Sequence, residues 1–239
     1  MIIFIIIIII IIGITCYYCF KNFSKRGEPY KTSFKIKPEI FGNDKSKVYK
    51  FKNFLTHKEC NKIIQKSKGK FAKSSITTYA TEKDKEFRVS QTYNFPSNDP
   101  FLMSIDKKIS KFLNIPLEYS EETQVQYYEK GGIFKPHTDS FDPKYKEEWD
   151  NYAGPHHGGN RTWTFTVYLN DVGKDNGGHT TFTKLNFSVR PEKGMAIAWH
   201  NLNDDGAPNS EMEHEGSRIL KGTKYIITKW FRQNKYREV

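Results

Sequence analysis

Hydrophobic and polar positions divide the chain into successive regimes. From Ile2 to Phe20 the residues are almost all apolar and none is charged. At about 1.5 Å per residue such a stretch spans about 28 Å as a helix, close to the ~30 Å of a bilayer core. The pattern predicts a transmembrane helix over residues 1–20. With no basic segment before it and no small-residue cleavage site after it, an uncleaved anchor is favoured over a signal peptide. Residues 21–45 are polar and basic, carry Pro29 and Pro38, and read as a tether.

Helical spacing follows. Thr56-His57-Lys58-Glu59 has the form of a capping box, and Cys60, Ile63 and Ile64 supply the apolar stripe of a short helix. Asp99-Pro100 places a capping carboxylate before proline at the first helical position. Phe101, Leu102, Ile105, Ile109, Phe112 and Leu113 then recur at helical spacing. Between these helices, Ser74 to Pro96 is polar and reads as an exposed hairpin.

From Thr123 onward the period changes to two. In Thr162–Leu169 the threonines and Tyr168 share one face, and Trp163, Phe165, Val167 and Leu169 the other. One face is therefore dry core, while the other can line a polar cavity. In Lys224–Phe231, Lys224, Ile226, Thr228 and Trp230 share a face. Short strands joined by glycine-rich turns predict a closed or two-sheet jelly roll. No internal repeat is present.

Candidate chemistry sits in this β-rich half. In a strand, His137 and Asp139 project to one side, with Cα atoms roughly 6.5–7 Å apart, within reach of one metal ion. His214 is the best third ligand. Two histidines and a carboxylate form the facial set of non-haem Fe(II) oxygenases. Lys224, ten positions after His214, heads an otherwise mostly apolar face, where an ammonium is costly unless an anion meets it. A dicarboxylate would be such an anion.

His137-Thr138-Asp139, His214 and Lys224 together resemble the 2-oxoglutarate- and Fe(II)-dependent prolyl 4-hydroxylase family. So do Gly131-Gly132 with Pro136, Tyr168-Leu169-Asn170-Asp171-Val172, Gly177-Gly178-His179-Thr180-Thr181-Phe182 and Lys193 to Leu202, in order over residues 46–232. The resemblance implies a mainly β, α+β fold: a double-stranded β-helix (jelly roll) with flanking helices outside the sheet, over residues 46–235. It implies Fe(II) on His137, Asp139 and His214, 2-oxoglutarate reaching Lys224 in a pocket lined by Tyr168 and Thr180, and L-ascorbate as a further cofactor. Tyr128, Arg161 and Trp230 match peptide-binding positions, and Arg88-Val89-Ser90 matches an Arg-x-Ser in a mobile loop over the substrate, which favours a lid over the plain hairpin reading of Ser74 to Pro96. The implied reaction hydroxylates proline in a peptide or protein, using O2 and releasing succinate and CO2. A lysine at position 224, where lysyl hydroxylases use arginine, favours proline over lysine. Two positions depart from the family pattern: Phe134 replaces a tyrosine and His179 a glutamate, and both bear on substrate identity. Hydroxylation of another residue such as lysine, a jelly-roll binding module without turnover, and a zinc hydrolase are the alternatives.

Charge and composition alter the picture little. The net charge of +11 is concentrated in residues 21–75, and the remainder is close to neutral. No nucleic-acid motif accompanies the basic segment. Three cysteines, two of them in the apolar stretch, provide neither a disulfide framework nor a cysteine zinc site. Lys21, Lys25, Arg26 and Lys31 after the span keep the domain cytosolic by the positive-inside rule, whereas relatives in the resembled family face the lumen of the endoplasmic reticulum. Asn22, Asn160 and Asn186 begin glycosylation tripeptides, and His156-His157 reads as loop surface.

Overall fold

The computed structural model describes residues 37–76, 86–96 and 98–237. The expected anchor and most of the tether lie outside them. Among the described residues no helix is long and apolar enough to cross a membrane.

The chain runs through β1 (Glu39–Gly42), β2 (Lys47–Phe51), α1 (His57–Ser67), β3 (Ala72–Lys73), β4 (Arg88–Val89) and β5 (Gln91–Asn94). Next come α2 (Pro100–Leu113), β6 (Gln124–Tyr128), β7 (Ile133–His137), α3 (Lys146–Tyr152) and β8 (Arg161–Tyr168). The last elements are β9 (Thr180–Phe182), β10 (Phe187–Val189), β11 (Ala196–His200), β12 (His214–Gly216) and β13 (Lys224–Arg232). They form an eight-stranded sheet, β1-β2-β11-β8-β13-β6-β5-β3, and a five-stranded sheet, β10-β9-β12-β7-β4. This is the two-sheet jelly roll read from the sequence.

Both helix starts follow their capping chemistry. Thr56 accepts from the Glu59 backbone N–H while Glu59 reaches back to the Thr56 N–H. Asp99 accepts from the N–H groups of Phe101 and Leu102. Each cap is worth about 1 kcal/mol.

Alternation in the large sheet separates two cores. Phe165 and Val167 of β8, Ile227 and Phe231 of β13, and Ala196 and Ala198 of β11 face outward under α1 and α2. Tyr168, Ile226, Ile197 and Trp199 face inward, against Phe182 and Val189 of the small sheet. The helices therefore seal one face, and the space between the sheets is left for the site.

Lys229 points to the helix side and is fully buried. Its ammonium meets Asp106 of α2 at 2.6 Å, and Thr123 and Arg237 also donate to that carboxylate. Burial nonetheless pushes Lys229 down to about 8. The cluster ties α2 and the C-terminal residues to the sheet.

Two expectations change, and one tripeptide is excluded. Residues 39–42, placed in the tether, pair with β2 as an edge strand. Within Ser74–Pro96 the described residues 88–94 are no exposed hairpin: β4 pairs with β7 and β5 with β6, and Arg88 and Ser90 are buried, while residues 77–85 lie outside the described residues. Asn160 is no glycan acceptor, because it is buried and its amide exchanges two hydrogen bonds with the Phe141 backbone. Asn186 is exposed. His156 and His157 sit in a single-turn helix, Pro155–His157, the first exposed and the second half-buried.

Candidate active site

Antiparallel pairing of β12 with β7 sets His214 directly opposite His137. Strand register thus joins two residues that are remote in sequence. The turn before β7 needs Gly131 at φ +88°, a conformation that L side chains rarely adopt. β7 ends at His137, so Asp139 lies in the turn beyond it rather than on the strand as expected. The turn still carries its carboxylate inward. Oδ1 of Asp139 lies 3.9 Å from His137 Nε2, and Oδ2 lies 3.7 Å from His214 Nε2. The three donor atoms fall within 4.8 Å of one another.

Hydrogen bonds fix each ligand. His137 Nδ1 donates to the Lys135 carbonyl at 2.8 Å, and His214 Nδ1 to the Met212 carbonyl at 2.9 Å. A carbonyl only accepts, so both Nε2 atoms are left with lone pairs facing the centre. The Thr164 hydroxyl donates to Asp139 at 2.6 Å and accepts from Asn201 at 2.9 Å. Phe134 stacks on the His137 ring at 3.5 Å, and Trp199 meets His214 edge-on. Burial, aided by His214, pushes His137 down to about 3, so the ring is neutral. Burial pushes Asp139 up, yet the imidazoles, Arg161 and the Thr164 hydroxyl outweigh it and hold the carboxyl below its usual range. A carboxylate and two imidazoles converging on one point suit a divalent first-row metal.

Two cavities meet at these ligands. The inner one runs between the sheets past Thr164, Thr166, Thr180 and Thr228 to Lys224. The threonine face of β8 thus lines it, as alternation implied. Lys224 is 2% exposed, and among the described residues no carboxylate or other acceptor meets its ammonium. Burial alone pushes it down to about 7. Its ammonium lies 5.4 and 5.8 Å from the ring centres of Tyr128 and Tyr168. Tyr168 stands behind the wall and donates to Thr180 at 2.8 Å. Gly178 is confined here: a Cβ on it would lie 2.5 Å from Ile219.

Tyr128, expected among the peptide contacts, instead lines this inner cavity and donates to Gln126. The outer cleft is lined by Arg88, Phe134, Arg161 and Trp230, with His137 and Asp139 at its base. Trp230 borders both cavities. Arg161 lies 3.8 Å over the Trp230 ring, and Glu121 grips it through two hydrogen bonds of 2.6 and 2.9 Å. Glu121 also meets Arg232 at 2.7 Å. Burial would raise Glu121, but the two guanidiniums hold it ionised. Glu121, Thr164, Asn201 and Gln126 escaped sequence reading by name; only the alternation of β8 signalled Thr164.

Comparison with known proteins gives concordant results. A model of the 2OG-Fe(II) oxygenase superfamily matches residues 123–232. A probable prolyl 4-hydroxylase from Arabidopsis thaliana is 31% identical over 209 residues, covering 78% of this chain and 69% of its own. A second Arabidopsis thaliana prolyl 4-hydroxylase is also 31% identical, covering 78% and 68%. Among solved structures, a viral collagen prolyl hydroxylase from Paramecium bursaria Chlorella virus-1, in a 2-oxoglutarate complex, superposes with a TM-score of 0.60 at 25% identity. That match covers 77% of this chain and 95% of the viral one.

Proposed function

The chain belongs to the 2-oxoglutarate- and Fe(II)-dependent prolyl 4-hydroxylase family, and from that premise we propose that it hydroxylates C4 of proline in a peptide or protein. The observation that carries the assignment is the convergence of His137, Asp139 and His214 at one end of a cavity whose other end holds an ammonium unpaired among the described residues. Fe(II) on the triad, with O2 and 2-oxoglutarate, supplies the oxidation and leaves succinate and CO2.

The residues do the rest. Lys224 receives the far carboxylate of the cosubstrate, which gives the buried ammonium the counter-charge it lacks. Thr180, oriented by Tyr168, and Tyr128 flank that carboxylate. Thr164 holds Asp139 in its ligating orientation, relayed from Asn201. Phe134 and Trp199 pack the two imidazoles and keep water from the centre. Arg161 and Trp230 form one wall of the outer cleft, where an extended peptide presents its proline to the ligand cluster.

L-ascorbate is assigned as the reductant that returns iron to the ferrous state. An anchor over residues 1–20 and an endoplasmic reticulum-type membrane complete the reading, on the strength of the uncharged apolar stretch. Loss of an N-glycan in an Asn186→Gln variant of the full chain would establish a lumenal domain.

The direct test loads the protein with Fe(II) anaerobically, adds 2-oxoglutarate, ascorbate, O2 and a panel of proline and lysine peptides, and maps products by mass spectrometry. One added oxygen on proline supports the assignment. Oxygen on lysine selects the other hydroxylase, and absence of succinate with every peptide selects a binding module.

A further inference from the structure

Helix α3 turns a single buried side chain inward, and that side chain is a carboxylate. Glu148 is 7% exposed, whereas Glu147 and Asp150 on the same helix face solvent. It lines the outer cleft together with His137, Asp139, Arg161 and Trp230.

Other buried carboxylates here are compensated: Glu121 by Arg161 and Arg232, Asp106 by Lys229 and Arg237, Asp139 by Thr164 and the imidazoles. Among the described residues nothing donates to Glu148, and burial with nearby Asp142 pushes its carboxyl up. A carboxylate that lines a cleft with no donor from the protein is left for a ligand to meet. The two cleft guanidiniums are engaged elsewhere. Arg161 is held by Glu121, and Arg88 donates to Ser90, Thr92 and the Ser75 carbonyl.

Unsatisfied groups cluster in this cleft. Gln124 Oε1, Ser140 Oγ and Trp230 Nε1 are buried there without partners. A carboxylate beside them accepts hydrogen bonds only, and its strongest desolvated complement is an ammonium or guanidinium.

We propose that Glu148 is a specificity-determining residue that pairs with a lysine or arginine flanking the target proline, so that the protein selects basic proline-containing peptides. The assignment rests on the proline-peptide reading above.

The test uses the full chain loaded anaerobically with Fe(II) and 2-oxoglutarate, so that binding is read without turnover. Affinities are measured for proline peptides carrying one lysine walked along the flanks, each paired with a norleucine isostere. One flanking position should show lysine binding about tenfold tighter or more, the scale of a charge-assisted hydrogen bond. In Glu148→Gln the lysine-to-norleucine ratio should fall to near one, and Glu148→Lys should prefer glutamate at that position. Equal wild-type affinities at every position overturn the proposal without any variant, as does a lysine preference that survives Glu148→Gln. If norleucine peptides bind but lysine gives no gain, the Glu148 assignment alone fails. If no peptide binds, the proline-peptide reading fails with it.

Discussion

Replacing Lys224 by methionine should stabilise the empty protein while weakening its hold on the cosubstrate. Lys224 is 2% exposed, and burial lowers it from 10.5 to about 7. At about 1.4 kcal/mol per unit, that displacement corresponds to roughly 4–5 kcal/mol of unfavourable burial, an upper bound once water penetration and relaxation are allowed for. The sign follows from proton counting. Between pH 7 and 10.5 the unfolded chain holds more protons at this site, so the site's contribution to stability rises with pH and its full cost is felt below pH 7. Methionine keeps most of the volume and forfeits no hydrogen bond identified for Nζ. A gain of about 1–3 kcal/mol at pH 7, at about 2–4 °C per kcal/mol for this size, should raise Tm by several degrees. The gain should shrink as pH is raised toward 10. In the same variant the 2-oxoglutarate Kd should rise about 10- to 100-fold, reflecting one lost charge-assisted contact. Thermal scans of metal-free protein over this pH range, with anaerobic titrations of 2-oxoglutarate into the Fe(II) form, measure both effects. A lower Tm at pH 7, or an unaltered Kd, would refute the role given to Lys224.

Wild-type affinity for 2-oxoglutarate should fall by up to about tenfold per pH unit above 7, because binding must return a proton to Lys224; the same titrations in Lys224→Met should lose that slope. Thr164→Val frees Asp139 from its 2.6 Å hydrogen bond, and Fe(II) affinity should drop about 10- to 100-fold with the fold intact by circular dichroism. Asp106→Ala strands Lys229 in the core, and urea unfolding should show a loss of about 3–5 kcal/mol, far beyond that of an exposed-site control such as Asp150→Ala.

What the sequence disclosed was whatever depends on local period and local capping. Alternation sorted β8 and β13 into a dry face and a cavity face, and the Thr56 and Asp99 caps located both longer helices. The metal ligands were legible because the residue types are distinctive, though not for the geometric reason first given. His137 and Asp139 do not share a strand; the chain turns between them and Thr164, from another strand, holds the carboxylate in place. Features set by long-range pairing stayed hidden. Residues 39–42 look like tether until β2 offers them an edge, and Arg88 looks exposed until β7 covers it. Tyr128 could face either cavity, and only its register opposite Lys224 assigns it to the inner one. Glu121, Asp106 and Glu148 carry no signal in the sequence, because burial of a charge is decided by tertiary partners rather than by neighbours in sequence.

The central claim is that His137, Asp139 and His214 form one Fe(II) centre that is completed by a cosubstrate anchored on Lys224. Anaerobic calorimetric titration of Fe(II), with and without 2-oxoglutarate, tests it most directly. The account predicts one ion per chain, bound more tightly when 2-oxoglutarate is present, with that binding lost in Asp139→Ala. Undiminished Fe(II) binding in Asp139→Ala, or indifference of the wild-type ion to 2-oxoglutarate, would contradict it.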